Sequence, residues 1–155
     1  TMEYETRDKT QYAYDVYWIS LPSTAHHDAA AVLSAAKTSM LAEITDYDSS
    51  VAVNAFLLNG MEVWLDKTTR VGLMNSTTIA KSMGQEKTTL WLGSYQLDVD
   101  CDKAIQLLSA LEMYALECFN VTAAHKKEVS ELDNIDGVLT YDYKSGYPDK
   151  LKMEV

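Results

Sequence analysis

Between Val51 and Thr122 the hydrophobic pattern changes period twice, and in the same way each time. Residues 52–58 and 61–65 alternate about the dipeptide Asn59-Gly60. Both central residues of a type I′ turn need positive φ, which Asn-Gly tolerates best, so two antiparallel strands are expected here. A two-residue loop sets Leu58 opposite Met61 and Phe56 opposite Val63. Phe56, Leu58, Met61, Val63 and Leu65 then share a core face, and Leu57, Glu62 and Trp64 the other. The pattern then lengthens to a helical period over 66–83, with Asp66 as N-cap, an Asp66–Arg70 pair in the first turn, and Gly84 as terminator. Residues 88–92 and 95–99 repeat the plan around Gly93-Ser94, the signature of a type II′ turn. Leu90, Leu92, Tyr95, Leu97 and Val99 face the core; Trp91, Gln96 and Asp98 face away. Asp100 is positioned to cap a long helix over 101–133, apolar on more than one side as far as Phe119 and so expected within the packing.

Upstream, residues 3–21 alternate as a strand, with Tyr12, Tyr14 and Trp18 among its aromatics. This segment either packs on its own domain or serves as an arm for a partner. Ser23 or Thr24 caps a helix of about 24–45 with Leu33, Ala36, Met40 and Ile44 as its buried stripe. Downstream, a helical turn starts near Asn134 or Asp136, Lys144 to Pro148 form a loop, and Leu151–Val155 alternate as an edge strand.

The fold class that follows is α+β: two β-hairpin–helix units forming one antiparallel sheet packed on helices, with a long central helix. One domain spans 1–155, comprising an N-terminal β segment or arm (1–22), a helix (23–46), a duplicated hairpin–helix core (51–133) and a C-terminal tail (134–155).

Composition narrows the function classes. Hydrophobic residues make up 47% of the 155, enough for a substantial core. The net charge of −10 argues against a nucleic-acid partner, whose phosphates need a basic face. The charge is uneven: residues 51–100 hold five acids against four bases, so this near-neutral stretch is the cheapest to desolvate against another protein. Cys101 and Cys118 lie on one helix, about 25 Å apart along its axis at 1.5 Å per residue, too far to pair. No signal peptide, membrane-spanning run or lipidation motif is present, so no membrane partner is expected. The sequons at Asn75 and Asn120 fall in expected helices and are discounted as glycosylation sites.

No Gly-rich phosphate loop, HExxH, CxxC or nucleophile elbow occurs. His26 and His27 are adjacent in a first turn and point apart. His125, followed by Lys126 and Lys127, fits the C-terminal end of a helix better than a catalytic base. Asp98, Asp100 and Asp102 lack the Gly and Glu of a calcium loop, whose places are taken by Lys103 and Ser109. The expectation is therefore a protein without enzymatic activity, catalytic residues, bound metal or cofactor. The candidate partner-binding residues are Trp64, Trp91, Tyr12, Tyr14 and Trp18, because aromatics on an outer sheet face or strand edge meet partners.

Several local segments carry a resemblance: Tyr47–Ser50, Trp64–Lys67, Thr69–Leu73, Thr88–Trp91, Tyr114–Leu116, Cys118, Asn120–Thr122, His125, Tyr141–Tyr143 and Gly146–Pro148. Across residues 44–155 the chain resembles a domain family of unknown function from tailed bacteriophages and prophages of gut bacteria, Bacteroides above all. Such domains often stand near tail-fibre genes. The resemblance implies a tail-associated structural or assembly protein, a fibre accessory or chaperone, acting by protein–protein contact in the cytoplasm of the infected bacterium and in the virion tail. The expected partner is a tail component, a second copy of the chain, or both, the homo-oligomer because the edge of the aromatic N-terminal strand invites pairing. The alternative is a phage-encoded binder that inhibits a host factor or sequesters a small ligand.

Overall fold

The computed structural model describes residues 28–155; the expected N-terminal strand and the start of the first helix lie outside the described residues. In chain order the elements are α1 (Ala29–Asp48), β1 (Phe56–Leu58), β2 (Met61–Val63), α2 (Lys67–Ser82), β3 (Lys87–Leu92), β4 (Tyr95–Asp100), α3 (Cys101–Glu131), α4 (Ile135–Leu139) and β5 (Lys152–Met153). The class is α+β, with small sheets packed against helices. Among the described residues no helix is long and apolar enough to cross a membrane.

The chain divides into two compact units. One comprises, among the described residues, 28–47 and 122–145; the other comprises Asp48–Val121 and Gly146–Val155. The stretch expected as a C-terminal tail is thus shared between them.

In the first unit, the buried stripe of α1 is Val32, Ala36, Met40 and Ile44, one residue every fourth position, with Val32 fully buried in place of the expected Leu33, which is half-buried. Ala36, Met40 and Ile44 pack with Val129 and Val138, and Leu33 covers the cluster. Asn134 caps α4 by accepting from the Gly137 N–H at 2.6 Å. His125 is buried and joined to the 141–145 segment: Nδ1 lies 2.7 Å from the Tyr141 hydroxyl and Nε2 2.7 Å from the Ser145 carbonyl oxygen. A carbonyl can only accept, so Nε2 carries a hydrogen. The Tyr141 hydroxyl in turn donates to Glu128. His125 therefore holds a loop rather than standing at a helix end as a dipole partner.

The second unit follows its turns. Asn59 and Gly60 both have positive φ, 49° and 82°, as the I′ turn demands. The register is the expected one, Leu58 opposite Met61 and Phe56 opposite Val63. Gly93 has φ 67°, and six residue pairs join β3 to β4, with Leu92 opposite Tyr95. Asp66 caps α2 by accepting from the Thr69 N–H at 2.7 Å, and this bond holds its carboxyl below the usual carboxylate range. Gly84, at φ 83°, ends α2.

Three expectations are corrected. The hairpins do not share one antiparallel sheet: among the described residues β3 and β4 form a sheet of their own, and β1 lies between β2 and β5. The β1–β5 pairing is parallel. The free edge of β1 is taken by the C-terminal segment, whose Leu151 and Met153 carbonyls accept from the N–H groups of Leu57 and Asn59, each at 2.8 Å. Glu62 and Lys150 add an ion pair on the same sheet. Secondly, Met61 is exposed, and Tyr95 only half-buried. Each is the first residue after its turn, and Met61 is also on an edge strand, beyond the cover that buries Leu58. Thirdly, α3 buries only one face of its apolar stretch. Leu108 and Leu111 are inside as expected, but Leu116 and Phe119 are exposed, together with Met113.

Cys101 and Cys118 are both buried. Burial pushes the Cys118 thiol above its ordinary range, and hydrogen bonds with the Asn54 backbone and Tyr114 offset this only in part. The thiolate is the reactive form. Ellman's reagent should therefore label the native protein slowly and the urea-unfolded protein at once. Rapid labelling of two thiols without denaturant would contradict the packing around Cys118.

Candidate functional site

The sequence candidates separate by position. Tyr12, Tyr14 and Trp18 lie outside the described residues. Trp64 and Trp91 are both on the outward side of their hairpins, as the turn-derived register requires. Trp91 is 56% exposed and Trp64 36%. Trp91 projects from the face of β3 that also carries exposed Thr89, across from Gln96 and Asp98 of β4. The Thr89 hydroxyl donates to Asp98 at 2.5 Å, so polar side chains border the indole.

Trp64 has a different setting. It lines a cleft of about 430 Å³ within the second unit, a volume in the range of small-ligand sites. One wall is apolar: Trp64, Leu65, Leu116 and Phe119. The rest is polar: Asn54, Lys67, Arg70 and Glu112, with Asp48, Ser49 and Asp66 also in the lining. Phe119 is 61% exposed and Leu116 nearly half. The i, i+4, i+7 spacing of Glu112, Leu116 and Phe119 puts them on one face of α3.

Arg70 is the unusual member. It is the fourth residue of α2 and is only 6% exposed. Its Nε lies 3.3 Å from Glu112 Oε1, but without hydrogen-bond geometry. Neither Nε nor Nη1 donates a hydrogen bond, and Oε1 accepts none. A buried cation is stabilised when its donors are spent, and unspent donors are costly. Asn54, with φ 67°, adds a third case: its buried Oδ1 accepts no hydrogen bond. The cleft therefore combines an apolar wall, a buried cation with two unspent donors and an amide acceptor.

The sequence pattern assigns Arg70 to Asp66 at i, i+4. In the structure Asp66 is occupied by the end of α2, and the ion-pair partner of Arg70 is Glu112, distant in sequence. Arg70, Glu112 and Asn54 carry no local signal of a site. Leu116 and Phe119 do carry one, the apolar surplus of α3, which exceeds a single buried stripe. Among the described residues no group of three or more His, Cys, Asp or Glu is placed to hold a metal ion.

Compared with known proteins, the chain matches no family model, no curated protein and no solved structure.

Proposed function

We propose that the protein works by contact with another protein, as a tail-associated structural or assembly component of a phage or prophage: a fibre accessory or a chaperone for one. The observation that carries the contact reading is the exposed aromatic surface of the second unit. Trp64, Trp91, Leu116 and Phe119 leave large apolar areas in water, and the two tryptophans stand on the stretch of the chain with little net charge. Such surfaces mark interaction sites more often than they are incidental. The tail-associated role rests on the local resemblance of residues 44–155. Mass spectrometry of purified virions tests it: the protein at a fixed copy number supports the tail role, and its absence from virions together with early expression refutes it.

Trp64→Ala and Trp91→Ala test the contact itself. Each should weaken partner binding by about 2 kcal/mol, as truncation of an interfacial aromatic does, while circular dichroism and the denaturation midpoint stay near wild type. Loss of the folded state in either variant would make that tryptophan a packing residue and remove it from the contact surface. The cleft beneath Trp64 favours a second reading, a phage-encoded binder of a host factor or small ligand, because it has both an apolar wall and unspent polar groups.

A further inference from the structure

We propose that the cleft between Trp64 and Phe119 receives the C-terminal residue of a partner polypeptide, its carboxylate on Arg70, its amide N–H on Asn54 and its apolar side chain against Leu116 and Phe119. The inference rests on the reading of the protein as one that acts by protein contact, and it names the chemistry of the partner.

Three observations converge on that occupant. Arg70 is more than nine-tenths buried, lines the cleft, and has Nε and Nη1 without acceptors. A guanidinium donor makes a short, charge-assisted hydrogen bond to a carboxylate, and Nε, which Glu112 faces, is the donor such a group would take. Asn54 Oδ1 is a buried acceptor in the same cleft with no donor. An ordinary fatty or aromatic acid has nothing to offer it, whereas the last residue of a polypeptide carries an N–H next to its carboxylate. The remaining wall is apolar and partly exposed, so it calls for a Leu-, Ile- or Phe-like side chain and disfavours a charged one.

Glu112 has the role of placeholder. Its Oε1 faces Arg70 without accepting a hydrogen bond, and its side chain is 35% exposed, so it can turn to water. The incoming carboxylate then takes its place beside the guanidinium. One negative group replaces another, and the buried cation is never left without a counter-charge. Asp66, the nearest acid in sequence, feels the Arg70 charge, but its carboxyl accepts from the Thr69 N–H at the start of α2.

The test uses the full chain and a fluorescein-labelled peptide ending in Gly-Leu-Phe with a free carboxylate, compared with the same peptide as its C-terminal amide, by fluorescence anisotropy. Charge-assisted hydrogen bonds predict a loss of roughly 10- to 100-fold on amidation. Glu112→Gln should tighten the carboxylate peptide several-fold and leave the amide unchanged. Arg70→Lys keeps a buried charge but not the Nε donor, and should weaken the carboxylate peptide toward the amide. The amide comparison needs no mutation, so a variant that fails to fold cannot decide the outcome. Equal binding of acid and amide, or no binding at millimolar peptide, overturns the proposal. If the peptide fails while Trp64→Ala and Trp91→Ala still weaken a protein partner, the terminus is wrong and the contact reading stands. Peptide binding with acid over amide selectivity supports the terminus whatever becomes of the tail role.

Discussion

Phe56→Ala should destabilise the protein by about 3–5 kcal/mol, the range for truncating a fully buried phenylalanine. Phe56 has no exposed surface. It sits on β1, the strand flanked on both sides in its sheet, so its surroundings are held by two rows of backbone hydrogen bonds and cannot easily collapse into the void. Met61 supplies the internal comparison. It belongs to the same hairpin and, by pleat alone, to the same face, but it is 47% exposed on the edge strand. Met61→Ala should cost about 0.5 kcal/mol or less, as surface changes do. Urea denaturation of both variants reads the contrast as a shift in midpoint at constant slope. Similar losses in the two would mean that the hairpin does not bury its faces unequally.

Tyr114→Phe should cost about 1–3 kcal/mol, because it strands a buried acceptor. The Tyr114 hydroxyl donates to the carbonyl of Ala55 at 3.1 Å, and Ala55 is fully buried. The variant also carries a pH signature. Burial, followed by the nearby Cys118, pushes the Tyr114 hydroxyl up to about 12. The unfolded chain ionises near the ordinary value of 10.0. A raised acid favours its neutral form in the folded state. Its contribution is therefore complete below pH 10.0, shrinks as the unfolded chain ionises, and is gone once pH passes the folded value of about 12. Wild type should lose stability over that window beyond what Tyr114→Phe loses. Urea midpoints for both proteins at roughly pH 9 and pH 11, on either side of the ordinary tyrosine value, check this. Parallel curves would place the hydroxyl in water.

The outward tryptophans show how far local chemistry reaches. Asn59-Gly60 and Gly93 constrain φ at two hairpin turns, each turn sets a register, and each register puts every second side chain on the same side. Trp64 and Trp91 fall outward by that argument, and they are found there. Asp66 and Gly84 bound α2 for equally local reasons, one a side-chain acceptor for free N–H groups and the other a residue at ease with positive φ. By contrast, His125 offers only its place near the end of α3. Its partners, Tyr141 and Ser145, come from a loop beyond the helix.

The cleft was less legible for the same reason. Arg70 and Asp66 at i, i+4 form a sufficient local pair, and nothing in the spacing directs the guanidinium to Glu112 on another helix. Nor does the apolar surplus of α3 say which of its stripes is covered. Leu108 and Leu111 are inside while Leu116 and Phe119 are not, although all four are equally apolar in the pattern.

The sequence by itself determined the type, order and approximate bounds of the hairpins and helices between Val51 and Glu131, the turn types, and the side of each hairpin on which its tryptophan stands. These depend on φ preferences, capping and side-chain period, which act over a few residues. Tertiary structure alone decided that the hairpins form separate sheets, that β5 joins β1 in parallel, which face of α3 is covered, and that Arg70 is buried facing Glu112. Each of these is a competition among distant segments for the same edge or surface. It is settled by what surface can be buried and which backbone groups can be paired together, quantities that no local window of the chain contains.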